Sequence, residues 1–152
     1  MASVTIRRLG SADIALHRRV LALYGRAFEE PETYPPDGPS QDYLEALLAR
    51  PDFIELAALD GDAAVGALSA YVLPKFEAEC SEVFIFDLAV DASHRRRGIA
   101  TALIEAVKPH ARAASAKVIF VMAQKGDGPA TALYESLAAR EEVLSFDIDP
   151  HR

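Results

Sequence analysis

The sequence predicts a mixed α/β fold in a single domain that covers residues 1–152. Two apolar runs, 53–59 and 63–73, are separated by Asp-Gly-Asp, and an Asp-Gly pair between such runs is typical of an antiparallel hairpin. Two further apolar runs, 82–90 and 117–122, are joined by a helical pattern, which predicts one right-handed parallel β-α-β crossover. We therefore expect a mostly antiparallel sheet with helices packed against it.

The N-terminal part of the chain predicts a short strand followed by a helix. Residues 4–9 alternate apolar and polar side chains, as a half-buried strand does. Ser11 is a suitable N-cap for a helix that runs to about Phe28. The helical period places Tyr24 on its apolar face and His17 on its exposed face.

A proline-rich loop and a second helix follow. Residues 29–40 contain four prolines and a glycine, which excludes regular structure. The loop also carries four acids and Tyr34, and it is compatible with both a solvated connector and a loop that faces a cationic substrate. Ser40 then caps a helix that stops before Pro51.

The C-terminal part predicts two more helices and a last strand. A helix runs from Ile99 to about Ala114, and Pro129 lies near the first position of the final helix. Residues 142–148 are expected to form the last strand. A lone final strand leaves a sheet edge that must be covered or paired, which favours a homodimer.

Composition bears on the class of function. Sixteen Lys and Arg against twenty-three Asp and Glu give a formal net charge of −7, which disfavours general binding to nucleic acid or to an anionic membrane. An acidic surface suits a cationic substrate, although acidity also serves solubility alone.

Cysteine and histidine usage argues against disulfides and metal centres. Cys80 is the only cysteine, and the four histidines have no metal-ligand spacing, so we expect no metal. No apolar stretch reaches the ~20 residues of a membrane span, and the N-terminal residues lack the apolar core of a signal peptide. We expect a cytoplasmic protein with no membrane partner.

A basic turn between the 82–90 strand and the following helix indicates an anion site. It contains Arg95, Arg96, Arg97 and Gly98. Unpaired N–H groups and the dipole at a helix N-terminus favour phosphate, and glycine allows close approach of the backbone. A solvated basic corner is the alternative. The turn matches neither a Rossmann fingerprint nor a P-loop.

Asp87 interrupts an otherwise apolar strand, and a buried charge is costly without a partner. The carboxylate is compatible with a general base whose pKa is raised by burial, and equally with a structural acid that pairs with an arginine or a turn N–H.

Two levels of family resemblance follow from these residues. The run from Arg95 to Ala100 fits the pattern Arg/Gln-x-x-Gly-x-Gly/Ala of the acetyl-CoA pyrophosphate loop in GNAT-type N-acetyltransferases. The chain also resembles the aminoglycoside 3-N-acetyltransferases of the gentamicin-resistance type, through the stretches 24–28, 42–44, 53–59, 65–77, 86–90, 94–104, 132–134, 140–143 and 146–150.

The resemblance implies a GNAT fold and acetyl-CoA-dependent acetylation of the 3-amino group of a deoxystreptamine ring, by direct transfer in a ternary complex, with antibiotic resistance as the result. It places the backbone of Leu88, Ala89 and Val90 against the thioester and the pantetheine arm. It assigns the pyrophosphate to a set of loop and helix residues: Arg95, Arg96, Arg97, Gly98, Ile99, Ala100 and Thr101.

The resemblance also implies catalytic and substrate-binding roles. Tyr134 would donate a proton to the departing CoA thiolate and contact the cofactor, with ordinary helix packing as the alternative. Asp87 would accept a proton from the substrate ammonium. The candidate substrate-binding residues are Tyr34, Asp87, Glu142, Asp147 and Asp149. Two other functions stay open: acetylation of a polyamine, peptide or other small amine, and a non-catalytic acetyl-CoA-binding module.

Overall fold

The computed structural model describes residues 3–152, and the chain forms two compact units, Met1–Met122 and Ala123–Arg152. The first unit contains, in order, β1 Thr5–Arg8, α1 Ile14–Ala27, α2 Gln41–Leu48, β2 Phe53–Asp60, β3 Ala63–Pro74, β4 Ser81–Val90, a short 3₁₀ helix Ala92–His94, α3 Ile99–Ala113 and β5 Ala116–Val121. The second unit contains α4, Gly128–Leu137.

The five strands of the first unit form one sheet in the order β1-β2-β3-β4-β5. The first four strands pair antiparallel, and β4 pairs with β5 in parallel. The parallel pair follows from the crossover through α3, because a strand that returns by way of a helix runs in the same direction. The prediction of a mixed, mostly antiparallel sheet with one parallel crossover is confirmed.

Helices cover both faces of this sheet. Ala67 of β3 packs in one apolar cluster with Val20 of α1. Gly66, which precedes Ala67 in β3, is so close to α3 that an added Cβ would lie 2.9 Å from Cγ2 of Ile99. Because adjacent strand residues point to opposite faces, α1 and α3 lie on opposite sides of the sheet. Burial of both faces explains why the first six residues of β2 are all buried.

Helix α1 departs from the prediction at its start and at one side chain. It begins at Ile14, after Asp13, rather than after Ser11. Tyr24 is buried as predicted, but His17 is also buried, with only 5% of its surface exposed. The predicted exposed position of His17 is therefore wrong. Its ring contacts the carboxylate of Glu55 on β2, which supplies the polar partner that a buried histidine needs.

A bulge interrupts β4 beside the candidate site. Ser69 of β3 lies opposite Asp87, whereas the next residue, Ala70, lies opposite Ile85. Phe86 is therefore an extra residue on β4 with no partner on β3. Such bulges bend a strand and redirect its side chains.

The second unit has a helix but not the predicted strand. Residues 142–148 have no regular structure in the described chain, so the prediction of a last strand there is wrong. Their apolar side chains are exposed, from 61% for Val143 to 88% for Ile148. A strand needs hydrogen bonds to a neighbouring strand, and residues 142–148 take part in none of the strand pairings among residues 3–152. No helix between residues 3 and 152 is long and apolar enough to cross a membrane.

Candidate active site

The structure brings Asp87 and Tyr34 together. The Tyr34 hydroxyl donates a hydrogen bond to Oδ2 of Asp87 at 3.0 Å, and both side chains are partly buried. Two of the predicted substrate-binding residues therefore meet, although 53 residues separate them in the sequence.

The loop that carries Tyr34 is held against α1. Arg18 of α1 donates from Nη1 to the carbonyl oxygen of Pro36 at 2.6 Å and to that of Pro39 at 3.2 Å. These contacts give the 29–40 loop a fixed position on α1, and a substrate-facing role for the loop stays a prediction.

Aromatic packing places the Tyr34 ring. Its centroid lies 5.5 Å from that of Tyr24 and 5.6 Å from that of Phe28, both on or next to α1. The loop can approach because Gly25 has no side chain: a Cβ there would lie 3.2 Å from Cα of Pro31. The rings of Tyr24 and Phe28 therefore hold the Tyr34 ring, whose hydroxyl contacts Asp87 of β4.

The surroundings of Asp87 shift its acidity into the range of a general base. Burial raises the pKa of Asp87 to about 6, the Tyr34 hydrogen bond lowers it, and the negative charge of Glu30 raises it. Burial and the Asp87 charge raise the pKa of Tyr34, so the tyrosine stays a neutral donor. A carboxylate with a pKa near 6 is ionised at neutral pH and is more basic than an ordinary aspartate.

The last residues of β4 present an open backbone edge. The pairing of β4 with β5 ends at Ile85 opposite Val121, whereas β4 continues to Val90. From Asp87 to Val90 the strand still pairs with β3. The side of Leu88, Ala89 and Val90 that faces away from β3 therefore pairs with no strand among residues 3–152. The backbone N–H groups that point to this side can bind an extended ligand.

The turn after β4 leads directly into the N-terminus of α3. Gly98 is the N-cap and has a left-handed φ of 75°, and an added Cβ would meet no atom within 4 Å. The first helical hydrogen bond runs from the Ala102 N–H to the Gly98 carbonyl at 2.9 Å. The N–H groups of Ile99, Ala100 and Thr101 thus have no acceptor within α3 and are suited to bind phosphate.

Several contacts fix this turn. Asp91 accepts a hydrogen bond from the Ala92 N–H at 3.0 Å, and its own N–H donates to the carbonyl of Val65 at 2.8 Å. Nε2 of His94 lies 2.9 Å from Oδ2 of Asp60, in the β2–β3 hairpin. The turn is therefore positioned by the sheet.

The three arginines of the turn are exposed. Nε of Arg95 donates to the carbonyl oxygen of Val90 at 3.4 Å. Between residues 3 and 152 none of the three makes an ion pair, so their charges are available to an anion. Ile99 is buried, with 5% of its surface exposed, so only its backbone could contact a ligand.

Sequence reasoning missed a buried polar pair beside the site, Glu55 on β2 and Ser69 on β3. The exposed fraction is 2% for Glu55 and 8% for Ser69. The available signal was the same one that drew attention to Asp87. Each residue interrupts an apolar strand, and a buried polar group needs a partner.

The remaining candidates belong to the second unit. Tyr134 lies in α4, whose N-cap Asp127 accepts a hydrogen bond from the Ala130 N–H at 3.2 Å. Of the three acids, Glu142 pairs with Arg140 at 2.7 Å and Asp149 pairs with Arg152 at 3.3 Å. The third, Asp147, is exposed.

Comparison with solved structures relates the chain to acetyltransferases. The aminoglycoside acetyltransferase HMB0005 from an uncultured soil metagenomic sample is 49% identical, with 97% of this chain and 98% of that chain covered and a TM-score of 0.94. A second soil metagenomic aminoglycoside acetyltransferase, meta-AAC0020 in complex with sisomicin, is 30% identical over 96% of this chain and 95% of that chain, with a TM-score of 0.87.

A ribosomal-protein-alanine N-acetyltransferase from Brucella melitensis biovar Abortus 2308 is 26% identical over 97% of this chain and 99% of that chain, with a TM-score of 0.74. A comparison with curated proteins found no match. The model of the acetyltransferase (GNAT) family matches residues 18–139, most of the chain. With its mixed five-stranded sheet, basic turn and helix N-terminus, the chain belongs to the GNAT acetyltransferase family.

Proposed function

We propose that this protein transfers the acetyl group of acetyl-CoA to an aminoglycoside, at the 3-amino group of the deoxystreptamine ring. One observation carries the proposal. A carboxylate with a pKa of about 6, that of Asp87, is held by Tyr34 on the strand whose next three residues present an open backbone edge. The Asp87 carboxylate, which can take a proton from an amine, is thus followed directly along β4 by backbone N–H groups that can bind an acyl oxygen.

The residues of the turn and of the strand edge fit acetyl-CoA. The space beside Gly98, the unpaired N–H groups at the start of α3 and the three exposed arginines suit a pyrophosphate. Leu88, Ala89 and Val90 would hold the pantetheine arm as an added strand. When bound, acetyl-CoA supplies the acetyl group as a thioester.

Asp87 prepares the acceptor. Its carboxylate accepts a proton from the substrate ammonium, directly or through water, and leaves a neutral amine with a free lone pair. A backbone N–H of the β4 edge donates to the acyl oxygen, where negative charge develops. Direct transfer then needs no covalent link between the acetyl group and the protein.

Tyr134 retains the role implied by the family resemblance, which is to donate a proton to the departing thiolate. Glu142, Asp147 and Asp149 remain candidates for binding the ammonium groups of the substrate. Glu142 and Asp149 would have to exchange an arginine partner for a substrate cation, which is feasible because exposed ion pairs contribute little to stability.

The choice of acceptor is supported by the two aminoglycoside acetyltransferases that are similar to this chain. The 3-amino position and antibiotic resistance rest on the sequence resemblance to the gentamicin-resistance enzymes. An acidic chain with a net charge of −7 also suits a polycationic substrate.

The test measures CoA release with gentamicin, kanamycin, spermidine and a panel of peptides, followed by NMR of the acetylated product. We expect turnover with the aminoglycosides and acetylation of the 3-amino group. Turnover with only a peptide or a polyamine would instead support the alternative acceptors, and acetyl-CoA binding without turnover would support a non-catalytic module. Acetylation of a different amine of the aminoglycoside would contradict the assigned 3-amino position but not the aminoglycoside acceptor.

A homodimer is part of the proposal, although the lone final strand that predicted it does not form. It is supported by the outer edge of β5, which pairs with no other strand among residues 3–152, and by the exposed apolar side chains between residues 142 and 148. Light scattering after size-exclusion chromatography should give the mass of two chains. The mass of one chain would contradict this part.

A further inference from the structure

A chain of buried polar side chains crosses the first unit from α1 to β4. Its members are His17, Tyr24, Glu55 and Ser69, whose exposed surface fractions are 5%, 2%, 2% and 8%, in that order. None of them has a part in the proposed transfer. Buried polar groups are costly unless they are hydrogen-bonded to one another, so each link of this chain matters.

The links run without interruption from a histidine to the catalytic strand. Nδ1 of His17 contacts Oε2 of Glu55. The Ser69 hydroxyl donates to Oε1 of Glu55 at 3.2 Å, and the Tyr24 hydroxyl lies 2.9 Å from Oγ of Ser69. The Tyr24 hydroxyl also lies 3.4 Å from the carbonyl oxygen of Asp87.

A count of hydrogens shows how the members depend on one another. A hydroxyl has one hydrogen to donate. Because Ser69 donates to Glu55, the hydrogen of Tyr24 is shared between Oγ of Ser69 and the carbonyl of Asp87. The Glu55 carboxylate offers one acceptor oxygen to Ser69 and another to His17, whereas an amide at this position has only one, so Glu55→Gln would change the hydrogen-bond arrangement of the network.

The network ends at the bulge. Ser69 lies opposite Asp87, and the unpartnered Phe86 precedes Asp87 on β4. The carbonyl that Tyr24 contacts and the carboxylate that Tyr34 contacts belong to the same residue. The backbone and the side chain of Asp87 are thus held from two sides, at the point where the bulge redirects the strand.

We propose that His17 and Glu55 are positioning residues of the transfer site, which hold the β4 bulge through Ser69 and Tyr24 and thereby set the direction of the Asp87 carboxylate. The role of Asp87 as base rests on the proposed function. The direction of the Asp87 carboxylate, in contrast, can be tested in the free protein, without substrate or acetyl-CoA.

The groups that act on the Asp87 carboxylate come from several elements. Tyr34 and Glu30 face it from the 29–40 loop. Tyr24 of α1 and Tyr71 of β3 are also close enough for the Asp87 charge to raise their pKa values, although burial is the larger cause for both. Burial is the largest influence on Asp87 itself. A loosened bulge that admits water should therefore lower the pKa of Asp87 toward that of an ordinary aspartate.

The first test is the titration of the Asp87 carboxyl carbon by NMR in the free protein, assigned with Asp87→Asn. We expect Glu55→Gln and Tyr24→Phe to move the midpoint to lower pH. Tyr24→Phe keeps the ring that packs on Phe28 and is the informative variant if Glu55→Gln does not fold. Val20→Ala, a fully buried residue of the same helix, is the matched control and should lower the melting temperature without moving the midpoint.

The second test is kinetic. Glu55→Gln and Tyr24→Phe should each lower kcat by about tenfold or less, as expected for one hydrogen bond, with an unchanged KM for acetyl-CoA. The double variant should be no slower than the slower single variant, because both act through one network.

The outcomes separate the two proposals. An unchanged midpoint in Tyr24→Phe, or additive losses in the double variant, would overturn the positioning role. A wild-type protein that acetylates no amine would remove the proposed function, and the NMR titration would still decide whether the network positions Asp87.

Discussion

The Tyr34 hydroxyl donates a hydrogen bond to Oδ2 of Asp87 at 3.0 Å, and it thereby joins the proline-rich loop to the strand that carries the candidate base. The loop acts on the pKa of Asp87 in two opposite ways. The Tyr34 hydrogen bond lowers it, and the Glu30 charge raises it, while burial keeps it near 6. The loop therefore influences the pKa of the candidate base through both Tyr34 and Glu30.

Removal of the Tyr34 hydroxyl should move the acid limb of the pH–rate profile to higher pH. Without its donor the Asp87 carboxylate is less stabilised, so its pKa rises above about 6. We expect Tyr34→Phe to shift the limb of kcat/KM by up to about one pH unit, the equivalent of one hydrogen bond. Tyr43→Phe is the control, since Tyr43 is 63% exposed on α2, and it should leave the profile unchanged. A shift to lower pH in Tyr34→Phe would contradict the assigned hydrogen bond.

Neutralisation of Glu30 should shift the acid limb of the pH–rate profile in the opposite direction. The negative charge of Glu30 disfavours ionisation of Asp87, so Glu30→Gln should lower the pKa of Asp87 and move the acid limb to lower pH. Added salt should reduce the difference from the wild type, because Glu30 is exposed and its charge is screened. Glu32→Gln, an exposed acid of the same loop, is the control and should not shift the limb.

Two glycines that combine a left-handed φ with open surroundings offer a matched test of the cofactor turn. Gly98 has φ 75° and Gly61 has φ 60°, and an added Cβ meets no atom within 4 Å at either position. Alanine at each should cost about 1–2 kcal/mol of stability, because L side chains disfavour this conformation. Only Gly98→Ala should raise the KM for acetyl-CoA. Equal KM values in the two variants would remove the turn from the binding site.

The role of Tyr134 can be separated from binding. If Tyr134 donates a proton to the departing thiolate, Tyr134→Phe should lower kcat by roughly 100-fold or more. The Kd for acetyl-CoA, measured by calorimetry, should stay within about threefold of the wild type because one hydrogen bond to a ligand contributes little net free energy. A wild-type kcat in this variant would support the alternative of ordinary helix packing.

Local signals in the sequence predicted most of the sheet. The Asp-Gly turn between apolar runs gave the β2–β3 hairpin, and the apolar runs on either side of α3 predicted the parallel pair. The strand predicted at 142–148 did not form, because an alternating pattern reports which side chains are apolar and not whether another strand pairs with the segment.

The candidate site was predictable only in part. The basic turn and Asp87 stand out along the chain, because their residue types contrast with their neighbours. The contact between Tyr34 and Asp87, and the burial of His17 against Glu55, join residues that are 53 and 38 positions apart. No periodicity within one element reports such contacts, so His17 was assigned to the wrong face of its helix.

The central claim is that Asp87 is the base, and the pH–rate profile of Asp87→Asn with gentamicin at saturating acetyl-CoA tests it most directly. We expect kcat/KM to fall by roughly 100-fold to 10,000-fold at neutral pH. The limb with a midpoint near pH 6 should disappear, and the deficit should shrink at high pH, where more of the substrate amine is already neutral. A profile that keeps the wild-type shape and midpoint would contradict the account.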